Sequence, residues 1–338
     1  MLLILLTRGN PMSVLNADHF QDEAAAFAFV ESIVWPEGPI CPNCGNKGEK
    51  GKIYELRGVR SKPSKKHPEG IERHGLRKCG NPACYKQFTV RMGTIFESSH
   101  LPLYQWLQAF HLMCSSKKGI SSNQLARILE VKIQTGWFVS HRIREAMRTG
   151  SLVPVGGEGT IVEIDETFIG TKDGVKKFPW TRAYHHKQAA LSLVERGGEV
   201  RSFRIDSANQ THIRPIVEAN IRKESRVMTD EARYYGKMFS EFESHEKVDH
   251  SREEWARGDV HVNTLEGYFS IFKRGMKGVY QHCAEKHLHR YLAEFDFRYN
   301  QRIAKGVDDK DRTVKALEGV KNKRLKYRRA DEEMNAQP

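Results

Sequence analysis

The chain has 338 residues, 39% of them hydrophobic and 29% charged, with a formal net charge of +13 and a sequence pI near 9.4. That length implies two or three domains, and the cationic excess favours a polyanionic partner, nucleic acid before an anionic membrane. No apolar run reaches the ~18 residues that a membrane helix needs, so a membrane protein is excluded.

The opening Met1–Leu6 run is apolar, has no basic region ahead of it and is too short for a signal peptide. With Met12 just beyond, residues 1–11 are expected to be a mis-assigned start or a disordered extension. The protein is expected in the cytoplasm, where six cysteines point to metal ligands or free thiols rather than disulfides. Residues 17–34 read as a helix capped by Asp18 and ended by Pro36, Gly38 and Pro39. Cys41-Pro-Asn-Cys44-Gly and Cys79-Gly-Asn-Pro-Ala-Cys84 follow. The first offers two thiolates from one tight turn, the second is looser with four intervening residues, and four thiolates suit tetrahedral Zn²⁺. A small module with little core of its own is stabilised by such a metal. His67 or His74 could replace a cysteine, although loop histidines are more often solvated. The 34 residues between the knuckles include a basic loop, Arg60–Gly70, and Phe88–Arg91 reads as the closing strand of the ribbon.

Three amphipathic helices are expected over Leu103–Met113, Ser121–Leu129 and Gln134–Met147. The last two, joined by Glu130–Ile133, fit a helix-turn-helix whose second helix offers Ser140, His141, Arg142 and Arg144 to DNA. A plain helical hairpin with solvated arginines fits the same pattern. Gly156, Gly157 and Gly159 mark a linker, after which the pattern becomes strand-like. Thr160–Asp165 is a short β run ending on an acid. Residues 189–194 and 200–205 form a hairpin around Gly197–Gly198. The segment Lys172–Lys187, between the Thr160–Asp165 run and this hairpin, is a basic, exposed connection. A helix over Thr211–Ile221, a strand Arg226–Asp230 again ending on an acid, and a polar loop over Glu241–Gly258 come next. His261–Gly275 then reads as a helix capped by Asn263, or by Thr264, with Leu265, Tyr268, Phe269 and Phe272 on one stripe. Glu266, Ser270 and Lys273 share a second stripe. Another amphipathic helix covers Leu288–Tyr299. The basic run Lys321–Arg329 reads as a solvated face or a disordered end.

The order strand–Asp165, hairpin, helix, strand–Asp230, helix–Glu266 is that of a ribonuclease H-like sheet, in which two strand ends and one helix converge. Three carboxylates meeting there repel one another unless a cation intervenes. Hard divalent ions with oxygen ligands, Mg²⁺ or Mn²⁺, relieve that repulsion and support in-line phosphodiester displacement. Lys273 would meet a phosphate as a point charge. Glu166 and Glu231 flank the aspartates. The aspartates are preferred because each follows the apolar part of its strand, and the next residue points to the other face.

Several stretches resemble the zinc-ribbon insertion-sequence transposases of bacteria, relatives of the eukaryotic Merlin elements. They are Cys41-Pro-Asn-Cys44-Gly, Ile164-Asp-Glu-Thr-Phe-Ile-Gly170, Leu193-Val-Glu-Arg-Gly-Gly198, Thr229-Asp-Glu231, His261–Ser270, Lys273-Arg-Gly275 and Gly278-Val-Tyr280. The similarity runs from about Ala17 to Asn300. Two departures stand out. Gln281-His282 follows Tyr280 where the family has a histidine directly, and four residues separate Cys79 from Cys84 where the family has two.

The resemblance implies a DDE-type DNA transposase with catalytic acids Asp165, Asp230 and Glu266 and a family lysine at Lys273. It implies Mg²⁺ or Mn²⁺ at the acids. Its substrates would be double-stranded DNA, namely the element's terminal inverted repeats and a target duplex, bound by at least a homodimer on the bacterial nucleoid. The expected fold class is multidomain α+β. Residues 1–35 are an extension and helix, 36–93 a zinc ribbon, and 100–150 a helix-turn-helix-like DNA-binding section. Residues 158–302 are a ribonuclease H-like α/β catalytic domain, and 303–338 a basic tail. Two rivals remain: a non-catalytic DNA-binding regulator built from ribbon and helices, and a metal-dependent nuclease acting on RNA–DNA hybrids or junctions.

Overall fold

The computed structural model describes residues 13–148, 153–180, 184–236, 238–249, 252, 254, 256–323 and 325. The opening residues 1–11 and most of the basic run 321–329 lie outside that set. The chain divides into two compact units. One holds the residues up to Leu112, Leu125–Ala146 and those from Thr313 onward; the other holds Met113–Gln124 and Met147–Arg312.

In the first unit, helix α1 (Glu23–Val34) is capped by Asp22, whose carboxylate accepts from the Ala25 N–H at 2.7 Å; Asp18 instead starts a separate short turn, Asp18–Phe20. A three-stranded antiparallel sheet follows, β1 (Ile53–Glu55), β2 (Arg77–Cys79) and β3 (Gln87–Phe88), with β2 in the middle. The chain then enters α2 (Leu103–Ser115), α3 (Ser122–Ile128) and α4 (Ile133–Met147). Glu23 of α1 caps α2 from a distance, its carboxylate accepting from the N–H groups of Leu103 (2.6 Å) and Tyr104 (3.2 Å). This satisfies donors that the first turn of a helix cannot satisfy itself.

The expected helical pair α3–α4 is present, turning tightly through Glu130, which adopts φ 54°. Its polar side chains are not where a DNA reader needs them. Ser140, His141, Arg142 and Arg144 are all buried. Arg142 donates to the carbonyls of Ile95, Glu97 and Leu325, and Arg144 to the Ser140 hydroxyl. Guanidinium groups that satisfy backbone carbonyls inside a fold are structural, and periodicity alone does not separate them from solvated ones. The pair instead exposes Ile128, Lys132, Ile133 and Gln134. The expected tail also contains an unforeseen helix, α8 (Asp309–Glu318), which buries Ala316 and Leu317.

The second unit is a five-stranded sheet. Its strands are β4 (Ile161–Ile169), β5 (Gln188–Glu195), β6 (Val200–Ile205), β7 (Arg226–Thr229) and β8 (Ser244–Lys247), in the order β6-β5-β4-β7-β8. β5 runs antiparallel to β4 and β6, whereas β7 is parallel to β4 and β8 parallel to β7. This is the ribonuclease H-like topology. Helix α5 (Gln210–Asn220) packs Ile213 and Val217 against Val162, Ile164, Leu191 and Leu193 on one face. Helices α6 (Asn263–Gly275) and α7 (Leu288–Asn300) cover the other, against Ala190, Val194 and Val200. β5 lies between both layers and is buried along almost its whole length, which explains why Ala189–Val194 is apolar apart from Ser192. β8 falls inside the stretch expected to be a loop. Its sequence, Ser-His-Glu-Lys, has no apolar alternation because it sits at the sheet edge.

α6 buries Leu265, Tyr268, Phe269 and Phe272, each contributing about 1.5–3 kcal/mol of apolar burial. A Cβ on Gly275 would stand 2.4 Å from the Phe295 ring of α7, so glycine is what lets the two helices approach. α7 also closes the β6 edge. Asn300 exchanges hydrogen bonds with the Val200 N–H and C=O, and Asp296 accepts from the Ser202 N–H (2.8 Å), the Ser202 hydroxyl (2.7 Å) and the Tyr268 hydroxyl (2.5 Å). An edge satisfied in this way offers no template to another strand.

Burial pushes the Asp296 carboxyl up to about 7 despite these three donors. The folded protein therefore holds a proton there that the unfolded chain has already released at mildly acidic pH. Stability falls as pH rises from the ordinary carboxylate range, and the loss is complete just above about 7. Asp296→Asn should flatten that slope in urea titrations run at intervals across this window.

Candidate active site and metal centre

β4 carries the first acid, and it runs four residues past Asp165 to Ile169 rather than ending on it. On the β5 side the ladder continues through Asp165↔Ser192 to Ile169↔Gln188. On the β7 side it stops at Glu163↔Met228. Asp165 and Asp230 each lie two residues beyond that last pair, so the acids stand where the central parallel pairing opens. Strand alternation places Asp165 on the α6 side with Glu163, and Glu166 on the opposite side, where Tyr234 and Tyr235 donate their hydroxyls to it.

Asp165, Glu166, Asp230 and Lys273 line one cavity of about 900 Å³. Burial, then the negative charges of Glu166 and Asp230, push the Asp165 carboxyl well above its ordinary range, and Lys273 works against this. Glu166 is pushed up to about 7, chiefly by burial. This is the electrostatic setting a hard cation relieves, so the two aspartates fit a divalent-ion site. Glu266 is exposed on the first turn of α6 and is not among the residues lining the cavity. Among the described residues, the one group of three or more His, Cys, Asp or Glu ligand atoms within 4.8 Å of one another is the four cysteines. The structure thus brings together Asp165, Asp230 and Lys273, but not Glu266 at ligand spacing.

The expected cap at Asn263 is not made. Asn263 is the first helical residue, and Val262 before it makes no side-chain cap. Glu163 serves instead, from β4. Its fully buried carboxylate accepts from the Leu265 N–H (3.1 Å), the Thr264 hydroxyl (2.9 Å) and the Arg196 guanidinium (2.7 Å). Arg196 also donates to the carbonyls of Asp259 and His261 and meets the His261 ring at 2.9 Å. Glu163 thus fixes the start of the Glu266–Lys273 helix to the strand bearing Asp165, two residues away. Sequence reading missed it, although a lone glutamate on an apolar strand is the signal that finds such a residue. Glu163→Ala should destabilise the protein by about 3–5 kcal/mol, because it leaves a largely buried guanidinium without its carboxylate. The urea midpoint measures this, and Glu163→Gln, which keeps one acceptor, should recover part of the loss.

The four cysteines form the second centre. Cys41 Sγ and Cys84 Sγ are 3.8 Å apart, and Cys44 Sγ and Cys79 Sγ 3.7 Å. A tetrahedron with ~2.3 Å Zn–S bonds has S···S edges of about 3.8 Å, so the set fits zinc. The longer second knuckle is accommodated by a turn in which the N–H groups of Cys84 and Tyr85 both donate to the Asn81 carbonyl, with Tyr85 at φ 46°. Asn46 and Asn81 donate side-chain N–H groups to Cys79 Sγ (3.5 Å) and Cys44 Sγ (3.6 Å). The Asn46 backbone N–H lowers the Cys44 thiol to about 7, whereas burial pushes Cys41 up to about 11.

Comparison with known proteins agrees with this division. Residues 156–300 match the ISXO2-like transposase domain, and residues 21–87 match the transposase zinc-ribbon domain. A protein in transposable element ISH50 of Halobacterium salinarum is 28% identical over 229 residues, covering 64% of this chain and 76% of that protein. Among solved structures, a pre-cleavage Mos1 transpososome aligns at 14% identity over 62% of this chain and 73% of its own, with a TM-score of 0.24. A Mos1 mariner paired end complex with Mn aligns at 15% over 59% and 72%, with a TM-score of 0.25. Superpositions that loose do not bear on fold or ligand here. The two matched domains, with the cysteine tetrad in one and the ribonuclease H-like sheet in the other, identify the chain as a member of the zinc-ribbon insertion-sequence transposases with an ISXO2-like DDE domain.

Proposed function

We propose that this transposase cleaves phosphodiester bonds at the ends of its element and joins the freed 3′-hydroxyls to a target duplex by in-line displacement. The observation that carries the reading is the convergence of Asp165 and Asp230 from adjacent strands on one cavity with Lys273. Asp165, Asp230 and Glu266 are the proposed ligands of Mg²⁺ or Mn²⁺. Divalent cations held there would supply activation of the attacking water or 3′-hydroxyl and charge neutralisation at the leaving oxygen. Lys273 positions the scissile phosphate as a point charge. Glu266 stands seven residues before Lys273 on the same helix, and the reading assigns its carboxylate to the loaded state. Buried surroundings at Asp165 strengthen every charge interaction with the phosphate.

The cysteine tetrad holds structural Zn²⁺ in this reading. Residues 36–93 form the ribbon, 100–150 a helical section, 158–302 the catalytic domain and 303–338 the C-terminal region. The partner is double-stranded DNA, both terminal repeats and target, in accord with the +13 charge. Paired end cleavage requires at least a homodimer on nucleoid DNA. No described helix is long and apolar enough to cross a membrane. The regulator reading loses support from the burial of Ser140, His141, Arg142 and Arg144.

The test is a strand-transfer assay on end-containing DNA with Mg²⁺ or Mn²⁺. Joined products that disappear in Asp165→Asn support the proposal. Binding without metal-dependent cleavage by the wild type sinks it.

A further inference from the structure

We propose that Tyr184, at the acid-lined cavity, and Trp180, earlier on the same connection between β4 and β5, are stacking positions for unpaired DNA bases. This rests on the reading that DNA reaches that cavity. Tyr184 lies on Phe168 with ring centroids 4.4 Å apart and planes 10° from parallel, and both rings line the cavity that holds Asp165 and Asp230. Phe168 is already packed on the core beneath the sheet, so it covers one face of Tyr184, and the tyrosine remains 54% exposed. On the same connection, Phe178 and Trp180 stack at 5.1 Å and 16°, with Trp180 80% exposed. The fold gains little from leaving such ring area in water. One pair joins β4 to the connection and the other lies within the connection, and Tyr184 and Trp180 are their outward members.

The surrounding charge says what covers them. Lys172, Lys187, Lys273 and Lys277 all line the cavity, and the Lys187 ammonium is 5.4 Å from the Tyr184 ring centroid. Flat rings among ammonium groups suit a ligand that alternates π-faces with phosphates, which is a nucleic acid strand. A duplex hides both faces of every base in its own stack and offers a ring only groove edges. An unpaired base has a free face, so the platform selects a strand that has left the duplex. Stacking of this kind tolerates any base, since every base has a π-face. Placed beside the carboxylates, it would hold the cleaved strand open rather than read its sequence.

The experiment uses the full-length protein and two fluorescent probes, oligo(dT) of about 20 nucleotides and a duplex of equal length, followed by anisotropy at fixed salt without added divalent ion. The wild type should bind oligo(dT). Tyr184→Ala and Trp180→Ala should each weaken that binding about 5- to 150-fold, the loss expected for one stacked base, with a much smaller loss on the duplex. Tyr184→Phe keeps the ring and should keep the affinity. Trp180 is so exposed that its removal leaves folding intact, so that variant still decides the matter if Tyr184→Ala is unstable. The proposal is overturned if the wild type does not bind oligo(dT), if both alanine variants bind it normally, or if single-strand and duplex affinities fall in parallel. Failure here, with cleavage still lost in Asp165→Asn, would remove the platform and leave the transposase reading standing. Aromatic-dependent binding without any cleavage would do the reverse.

Discussion

Replacing Asp165 or Asp230 by asparagine should reduce end cleavage and strand transfer on the order of 10³-fold or more, since losing even one electrostatic stabiliser of a transition state costs about 10²–10³. Each aspartate stands two residues beyond the last β4–β7 pair, and the Asp165↔Ser192 pairing with β5 is made by backbone, so each substitution removes a charge without removing a ladder hydrogen bond. Stability should therefore hold. At position 165 it should rise, because the carboxylate is buried against Glu166 and Asp230 and asparagine relieves that repulsion. A rate measured under single-turnover conditions, paired with a thermal melt, separates the two effects. Lys273→Ala should cost less, roughly tenfold, as expected for a single phosphate contact near the surface. Full activity in both aspartate variants would remove the assignment of the cavity as the reaction centre.

Loss of zinc should be equally severe but confined to the first unit. The ribbon sheet comprises only three short strands, and its core cluster consists of Cys41, Cys79 and Phe88 with Trp35, Ile53 and Cys84 packed against it. Structural zinc in such small modules is worth about 10–16 kcal/mol of apparent binding energy at neutral pH, more than this core can replace. Cys79→Ser, or a strong chelator, should release one zinc per chain and abolish amide-exchange protection across residues 41–88. Protection in β4 and β5 should survive, because their core is independent of the cysteines. Protein purified with far less than one equivalent of zinc and a protected ribbon would contradict the centre outright.

The stretches easiest to read in the sequence were those whose burial is periodic and one-sided. α6 and α7 show their apolar stripes directly, and the β5–β6 hairpin shows both its apolar strands and its Gly197–Gly198 turn. β8 was invisible because an edge strand of Ser-His-Glu-Lys owes its place to pairing with β7, not to its own composition. The length of β4 was hidden for a related reason. Its pairing ends at different points on its two sides, and the apolar run follows only the shorter one. The polar face of α4 was misread because a buried arginine that satisfies carbonyls has the same letter as one that meets a phosphate. Glu166 shows the limit at the acids, since strand alternation correctly turns it away from α6 yet does not take it out of the cavity.

Two helices here begin on a carboxylate that belongs to another element, α2 on Glu23 and α6 on Glu163. For α6 the cap comes from 102 residues earlier in the chain. As the polypeptide is synthesised, β4 and Arg196 are complete long before the helix they anchor exists. A nascent or truncated chain that stops short of Leu265 carries both aspartates and the Glu163 carboxylate that caps α6, but lacks Glu266 and Lys273 themselves. The arrangement proposed to cut DNA is therefore a property of the finished domain, and a prematurely terminated product should be inert toward the genome that encodes it.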